Sequence, residues 1–200
     1  MITQQKKKCF RNKDDNYLTP HTLTQLLLDN ISLDKGYSVL EPCSSVEKCI
    51  ANVLETAGYN VTTNIYIRDD LTTNFLDWDE TKKFDVCFSN TPYGDKNIIA
   101  FVSKMKKIAT KKVIALYPLS ILHGNNKLKH IWNDKEFALK QVYLLVRPAW
   151  LADFVREDGK YSSGMNHYAW FVWEKGYNGK PMIEWLDNSM HLISRKTFFS

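Results

Sequence analysis

The chain has no uncharged run approaching the roughly 20 residues a membrane-spanning helix needs, and no apolar segment follows the basic opening that ends in Lys6, Lys7 and Lys8. A soluble, unexported, cytoplasmic protein is therefore expected. Cysteine is sparse: Cys9, Cys43, Cys49 and Cys87 form no Cys-x-x-Cys pair and have no histidine partners at zinc-finger spacing. That argues against a metal site and fits reduced thiols. Cys87, inside an apolar run, reads as a small buried hydrophobe rather than a reactive thiol. No histidine pairs with a nucleophile or with metal spacing, so His123 and His167, near expected loop ends, read as surface or capping residues. Repeats and low-complexity stretches are missing too, and 200 residues are too few for two ordinary domains.

What is present is a hydrophobic content of 44% with 13% aromatics, enough for one good core. Residues 1–16 read as a basic N-terminal arm and 17–200 as a single domain. The net charge of +5 is uneven: Lys6, Lys7, Lys8, Arg11 and Lys13 cluster early, and Lys104, Lys106, Lys107, Lys111 and Lys112 later. Such clusters suit a polyanion, although solvated lysine faces look the same in sequence.

Beyond the arm, helical and strand patterns alternate. A helix is expected over Thr22–Asn30, then a short strand Tyr37–Leu40 stopped by Pro42, and a helix capped by Ser44 or Ser45 that runs to Thr56 and ends at Gly58. Strands are expected at Asn60–Ile67, Phe84–Ser89 and Lys112–Pro118, with helices at Asn97–Ala109 and Leu122–Trp132. Two late strands, Gln141–Val146 and Tyr168–Trp173, flank a polar loop with no helical pattern. They are expected to form an antiparallel hairpin at the sheet edge. Trp150, Trp170 and Trp173 read as core. The whole reads as α/β, a mainly parallel, doubly wound sheet.

In such sheets ligands bind beyond the carboxyl ends of the strands, here after Leu40, Ile65, Phe88 and Tyr117. Glu41-Pro42-Cys43-Ser44-Ser45 offers an acid followed by small residues. Ser89-Asn90-Thr91-Pro92-Tyr93-Gly94 offers an amide, a rigid turn and an aromatic ring. An ordinary β-turn has the same look as the second, and a solvated strand end the same look as Glu41.

Asn90-Thr91-Pro92-Tyr93 resembles the Asn/Asp-Pro-Pro-Tyr/Phe motif of amino-methyltransferases, and Tyr17-Leu18-Thr19-Pro20 resembles the Tyr-x-Thr-Pro opening of their adenine-specific DNA members. The resemblance continues through Val39-Leu40-Glu41-Pro42 and Arg147-Pro148 to Tyr168–Glu174. The chain is thereby similar to small phage enzymes of the N6-adenine DNA methyltransferase family.

The resemblance implies a Rossmann-like methyltransferase fold, S-adenosylmethionine as cofactor, nucleic acid, most simply DNA, as partner, and the host cytoplasm as location if the protein is viral. It assigns catalysis to Asn90, Thr91, Pro92 and Tyr93. The Asn90 side-chain oxygen and the Thr91 carbonyl would hold the two amino hydrogens of adenine while Tyr93 stacks on a flipped base. Thr91 replaces a proline of the motif but keeps the carbonyl.

Cofactor binding falls by the same resemblance to Tyr17, Thr19, Pro20, Glu41, Pro42, Cys43, Ser45, Asn64, Asn74 and Phe75. Glu41 would take the methionine ammonium, and Phe75 would pack on the adenine unless it is core. Glycines usual in the turn after Glu41 are replaced, with Ser45 and Glu47 near their places, and two expected acids are Asn64 and Asn74. Those departures leave open a decayed relative that only binds nucleic acid or protein. The motif alone also admits RNA or a protein amide as substrate. The length leaves no room for a separate target-recognition domain, so relaxed specificity, a homodimer or a partner subunit is expected. The polar loop Glu157–Asn166 is a candidate substrate-reading element.

Overall fold

The computed structural model describes residues 18–67, 74–146 and 167–187. The arm 1–16, Tyr17, Arg147-Pro148, Trp150 and the loop 157–166 lie outside the described residues.

Helix α1 (His21–Leu28) is followed by β1 (Ser38–Ser44), α2 (Cys49–Thr56), β2 (Asn60–Ile65), a 3-10 turn at Phe75–Asp77, β3 (Phe84–Ser89), α3 (Asp95–Ile108) and β4 (Ala109–Pro118). A 3-10 turn at Leu119–Leu122, a single α turn α4 (Asn125–Lys127) and a π turn (Leu128–Trp132) lead to β5 (Phe137–Leu145), β6 (Tyr168–Lys175) and β7 (Met182–Leu186). The strands form one seven-stranded sheet in the order β2-β1-β3-β4-β6-β5-β7. Among the described residues β6 alone runs against the others: it is antiparallel to β4 and β5, and every other pairing is parallel.

Strand alternation sends side chains to two cores. Val113, Ala115 and Tyr117 of β4 join Phe171 and Trp173 of β6 under α3. Ile114 and Leu116 join Trp170, Val172 and Phe88 under α1 and α2. Both faces are thus closed, as a parallel sheet requires. Trp170 and Trp173 are fully buried, so the reading of both as core holds. Among the described residues no helix is long and apolar enough to cross a membrane.

Four expectations are corrected. Pro42 does not stop β1; the strand continues to Ser44, and the β1–β2 register shifts between Glu41 and Ser44. A bulge there accommodates a residue with no N–H to give the ladder. Neither Ser44 nor Ser45 caps α2: Lys48, in the left-handed region at φ 51°, precedes it, and the helix begins at Cys49. Leu122–Trp132 is not one helix but a 3-10 end, one α turn and a π turn. The late antiparallel pair is not the sheet edge, because β6 inserts between β4 and β5, and β7 adds in parallel outside β5.

Lys106 ties α3 to the π turn and β5. Its buried ammonium donates to Ile131 O, Asp134 Oδ2 and Phe137 O, each at 3.0 Å. Lys106→Met would leave two carbonyls without a donor and should lower the unfolding free energy by about 2–3 kcal/mol. The urea midpoint should drop at unchanged slope; a loss under about 0.5 kcal/mol, the level of a surface substitution, would show that the clamp contributes nothing.

Candidate active site

The strand order reverses between β1 and β3, so their carboxyl ends flank the topological switch point. The two strands pair at Val39–Val86 and Leu40–Cys87, and past those rungs the backbone ladder between them is not continued. The opening is a small cleft lined by Leu18, Thr19, Glu41, Cys43, Ser45, Cys49, Ile50 and Asn90. The structure therefore brings together residues from three separate predicted segments: the Thr-Pro opening, the tip of β1 and the tip of β3. Asn64, Asn74 and Phe75 do not line it, and neither do Pro20 and Pro42.

Asn90 leaves the end of β3 and bridges the cleft. Its Nδ2 donates to Thr19 Oγ1 at 3.0 Å, and its Oδ1 accepts from the Tyr93 hydroxyl at 2.7 Å. The Tyr93 ring lies against Tyr168 and Tyr117, with centroids 5.9 and 6.2 Å away. Thr91 is buried, and its hydroxyl lies 2.5 Å from the Tyr117 hydroxyl. Burial pushes the Tyr117 phenol well above its ordinary value, against the lowering pull of Thr91, so it stays neutral at any working pH. Pro92 continues the turn, and Gly94, at φ 105°, supplies the backbone shape that starts α3.

Across the cleft Glu41 is 2% exposed and accepts a 3.0 Å hydrogen bond from the Ala51 amide of α2. Burial raises its carboxyl from 4.5 to about 7, outweighing the Ser44 hydroxyl and the Ala51 amide, which lower it. The Lys48 charge is the least of the influences on it. Among the described residues the buried Ser45 Oγ makes no full hydrogen bond, although it lies near enough to the Cys49 thiol to pull its pKa down against the larger effect of burial. Burial also raises the thiols of Cys43, Cys49 and Cys87, which keeps them protonated and fits the reading of Cys87 as inert packing.

The other predicted cofactor residues have different partners. Pro20 is the residue before α1 and is buried. Asn64 donates to Pro42 O at 3.0 Å. Asn74 caps the 3-10 turn, accepting from the Leu76 amide and donating to Asp77. Phe75 is fully buried and stacks on Phe101 at 6.2 Å, which is the core placement.

The later lysine cluster does not gather at this site. It occupies the far end of α3 and the start of β4, and α3 spans 14 residues, about 21 Å. Lys104 and Lys107 bind Glu80, Lys106 binds Asp134, and Lys112 binds Glu174. Three carboxylates pair with four of the five cations, Glu80 being shared by Lys104 and Lys107, a pairing invisible in sequence because the acids lie 24 to 62 positions away.

Sequence reasoning missed Tyr117, Cys49 and Ile50. Tyr117 was legible only as the end of an apolar run beside Pro118; its hydroxyl acquires meaning once β4 is known to neighbour β3.

No protein-family model matches the chain, and no curated protein matches it by sequence. Its fold does have counterparts. A protein assigned to the class I S-adenosylmethionine-dependent methyltransferases, from Listeria monocytogenes, superposes with a TM-score of 0.57 at 15% identity, over 92% of this chain and 72% of its own. The M protein of the type I restriction enzyme EcoKI superposes at 0.56 and 13% identity, over 83% of this chain and 45% of its own. Magnesium protoporphyrin IX methyltransferase from Synechocystis PCC 6803, with S-adenosylmethionine bound, gives 0.51 at 12% identity over 77% and 76%. The chain thus spans under half the length of that M protein. It has the Rossmann-like fold of S-adenosylmethionine-dependent methyltransferases, ending in an antiparallel section of sheet.

Glu41 makes the fold pH-sensitive. A carboxyl whose folded pKa is raised contributes stability below its unfolded pKa and loses it as pH climbs through the folded value. Between pH 4.5 and about 7 that contribution, on the order of 3 kcal/mol, should disappear. Glu41→Gln keeps an acceptor for Ala51 but does not titrate. Its unfolding free energy relative to the native protein should therefore rise from pH 4.5 to pH 8 in urea melts, and a constant difference would place the titration elsewhere.

Proposed function

We propose that the protein transfers a methyl group from S-adenosylmethionine to the exocyclic amino group of adenine in DNA. The observation that carries this reading is the meeting of Asn90, at the head of Asn90-Thr91-Pro92-Tyr93, with Glu41 and Thr19 in one cleft at the switch point of a methyltransferase fold.

The residues present suit the cofactor. Glu41 is a buried carboxylate whose charge is disfavoured by desolvation and, among the described residues, met only weakly by Lys48, so an ammonium group is a partner that would stabilise it. The buried Ser45 Oγ in the same wall, which makes no full hydrogen bond among the described residues, offers a donor and acceptor. Thr19 and Cys43 complete the lining. S-adenosylmethionine, when bound, supplies an electrophilic methyl on a sulfonium. The cleft holds only about 20 Å³, room for one water, so binding must widen it. The Leu18-Thr19 wall, held to Asn90 by the 3.0 Å hydrogen bond, is the part proposed to move.

On the substrate side, the lone pair of an amino group conjugated to a purine ring is delocalised. Two acceptors, Asn90 Oδ1 and the Thr91 carbonyl, would hold its two hydrogens, turn the lone pair out of the ring plane and stabilise positive charge as it develops. The Tyr93 hydroxyl now occupies Asn90 Oδ1 and must release it, which frees the ring to stack on an extruded base. DNA as substrate is supported by the motif resemblance and by the fold shared with a type I restriction M protein. Target selection would draw on a second copy or a partner subunit.

A second reading, a methyltransferase fold that binds without catalysing, is favoured by the narrow cleft and by the Ser45-Val46-Glu47-Lys48 turn in place of glycines.

Isothermal titration with S-adenosylmethionine, followed by tritiated methyl transfer to unmethylated DNA, separates the two. Binding is expected with an affinity that rises between pH 6 and 8 as Glu41 ionises. Asn90→Ala should reduce transfer at least about 100-fold. A folded protein that binds no cofactor would overturn the enzymatic reading; transfer to RNA or a protein amide but not DNA would overturn the substrate.

A further inference from the structure

The motif departs from its relatives at Thr91, and the structure shows what stands in for the lost proline. The last rung between β3 and β4 pairs Ser89 with Ala115. Two residues further along each chain come Thr91 and Tyr117, on the same side of the sheet by strand alternation. Their hydroxyls meet at 2.5 Å, with Thr91 2% and Tyr117 0% exposed. The sheet register is in effect carried two residues past the end of β3 by a side-chain hydrogen bond.

A proline at this position would fix φ by its ring. Threonine has no ring to fix φ, so although Pro92 confines its ψ to the extended region, the direction of its carbonyl is less constrained than a proline's. The hydroxyl pair removes the freedom from outside: one end is the turn, the other the fully buried tip of β4, itself packed against Phe171 and Tyr93. A buried hydroxyl that loses its partner costs about 1–3 kcal/mol, so separating these two buried hydroxyls is penalised.

We propose that Tyr117 is a positioning residue for the methyl-transfer site, fixing the Thr91 carbonyl through the Thr91–Tyr117 hydroxyl pair in place of the missing proline. This rests on the methyltransferase reading above. Tyr117 touches neither substrate nor cofactor in that scheme; it acts through Thr91.

The test uses the full-length protein with Tyr117→Phe, Thr91→Pro and the double substitution. Tyr117→Phe keeps the ring and its packing and removes only the hydroxyl. Hydrogen exchange across residues 89–94 should accelerate in Tyr117→Phe and return toward the native rate in the double variant. In methyl transfer, Tyr117→Phe should lower kcat about 10-fold with the cofactor KM within about twofold. The double variant should recover to within about threefold of the native kcat, because proline supplies the stiffness internally. A purely structural role for Tyr117 would lower stability without this kcat-against-KM split and without rescue by proline.

Unchanged exchange in Tyr117→Phe overturns the proposal whatever the activity. So does a kcat loss of equal size with threonine and with proline at position 91. A native protein that transfers no methyl group, yet shows the exchange effect and its reversal, would overturn the function while leaving the brace in place. If Thr91→Pro fails to fold, the exchange rate of Tyr117→Phe alone decides.

Discussion

Both faces of the sheet are closed by large side chains, Tyr117, Phe171 and Trp173 on one and Leu116, Trp170 and Phe88 on the other, and this closure governs everything else about the molecule. A sheet sealed on two sides has only its ends for polar chemistry. At the carboxyl end β1 and β3 pair through two rungs, past which their backbone ladder is not continued. The polar groups that matter, Glu41, Ser45, Asn90 and Thr91, all lie where the apolar sandwich stops. Glu41 and Thr91 are buried there, which gives Glu41 its raised pKa and makes the loss of the Thr91 hydroxyl's partner costly, while Ser45 and Asn90 are half-buried.

The parts of this arrangement legible in sequence are those determined by short-range pattern. Phe84–Ser89 carries the apolar run Val86-Cys87-Phe88 behind Phe84 and Asp85, and its expected limits match β3. The tip at Asn90 follows from finding where such a run ends, whereas Glu41 lies inside β1, which continues past Pro42 to Ser44. What was not legible depends on geometry that no window contains. The start of α2 is set by Lys48 adopting a left-handed conformation, which a lysine gives no sign of. β7 was missed because most of its side chains are outside the core: Met182, Ile183 and Trp185 are exposed and Leu186 alone is buried, so the strand has no two-residue burial rhythm to read. The lysine cluster reads as a polyanion surface only until Glu80, Asp134 and Glu174 fold onto it.

Asn74 and Phe75 show the same lesson at the site. Both were placed at the cofactor by resemblance, and in this structure one caps a 3-10 turn while the other stacks on Phe101 in the core. Asparagine is a good cap because its short amide reaches backbone amides two residues on, and the Leu76 amide is at that offset. A residue type that suits two tasks cannot be assigned to one of them by its position in a motif.

On the proposed reading, Thr91 shows how the candidate site departs from the motif it resembles. Proline stiffens a turn locally and needs no neighbour. Threonine does so only with a partner of matching reach, and here that partner has to come from the adjacent strand at the height of the turn. The substitution thus moves the constraint from one residue's covalent ring to a contact between positions 26 apart. Its consequence is coupling: the turn becomes as rigid as the β4 tip to which it is tied, and a change that shifts Tyr117, whether from Phe171 beneath it or Tyr93 beside it, is transmitted to the carbonyl of Thr91. A proline-containing turn would be insulated from both.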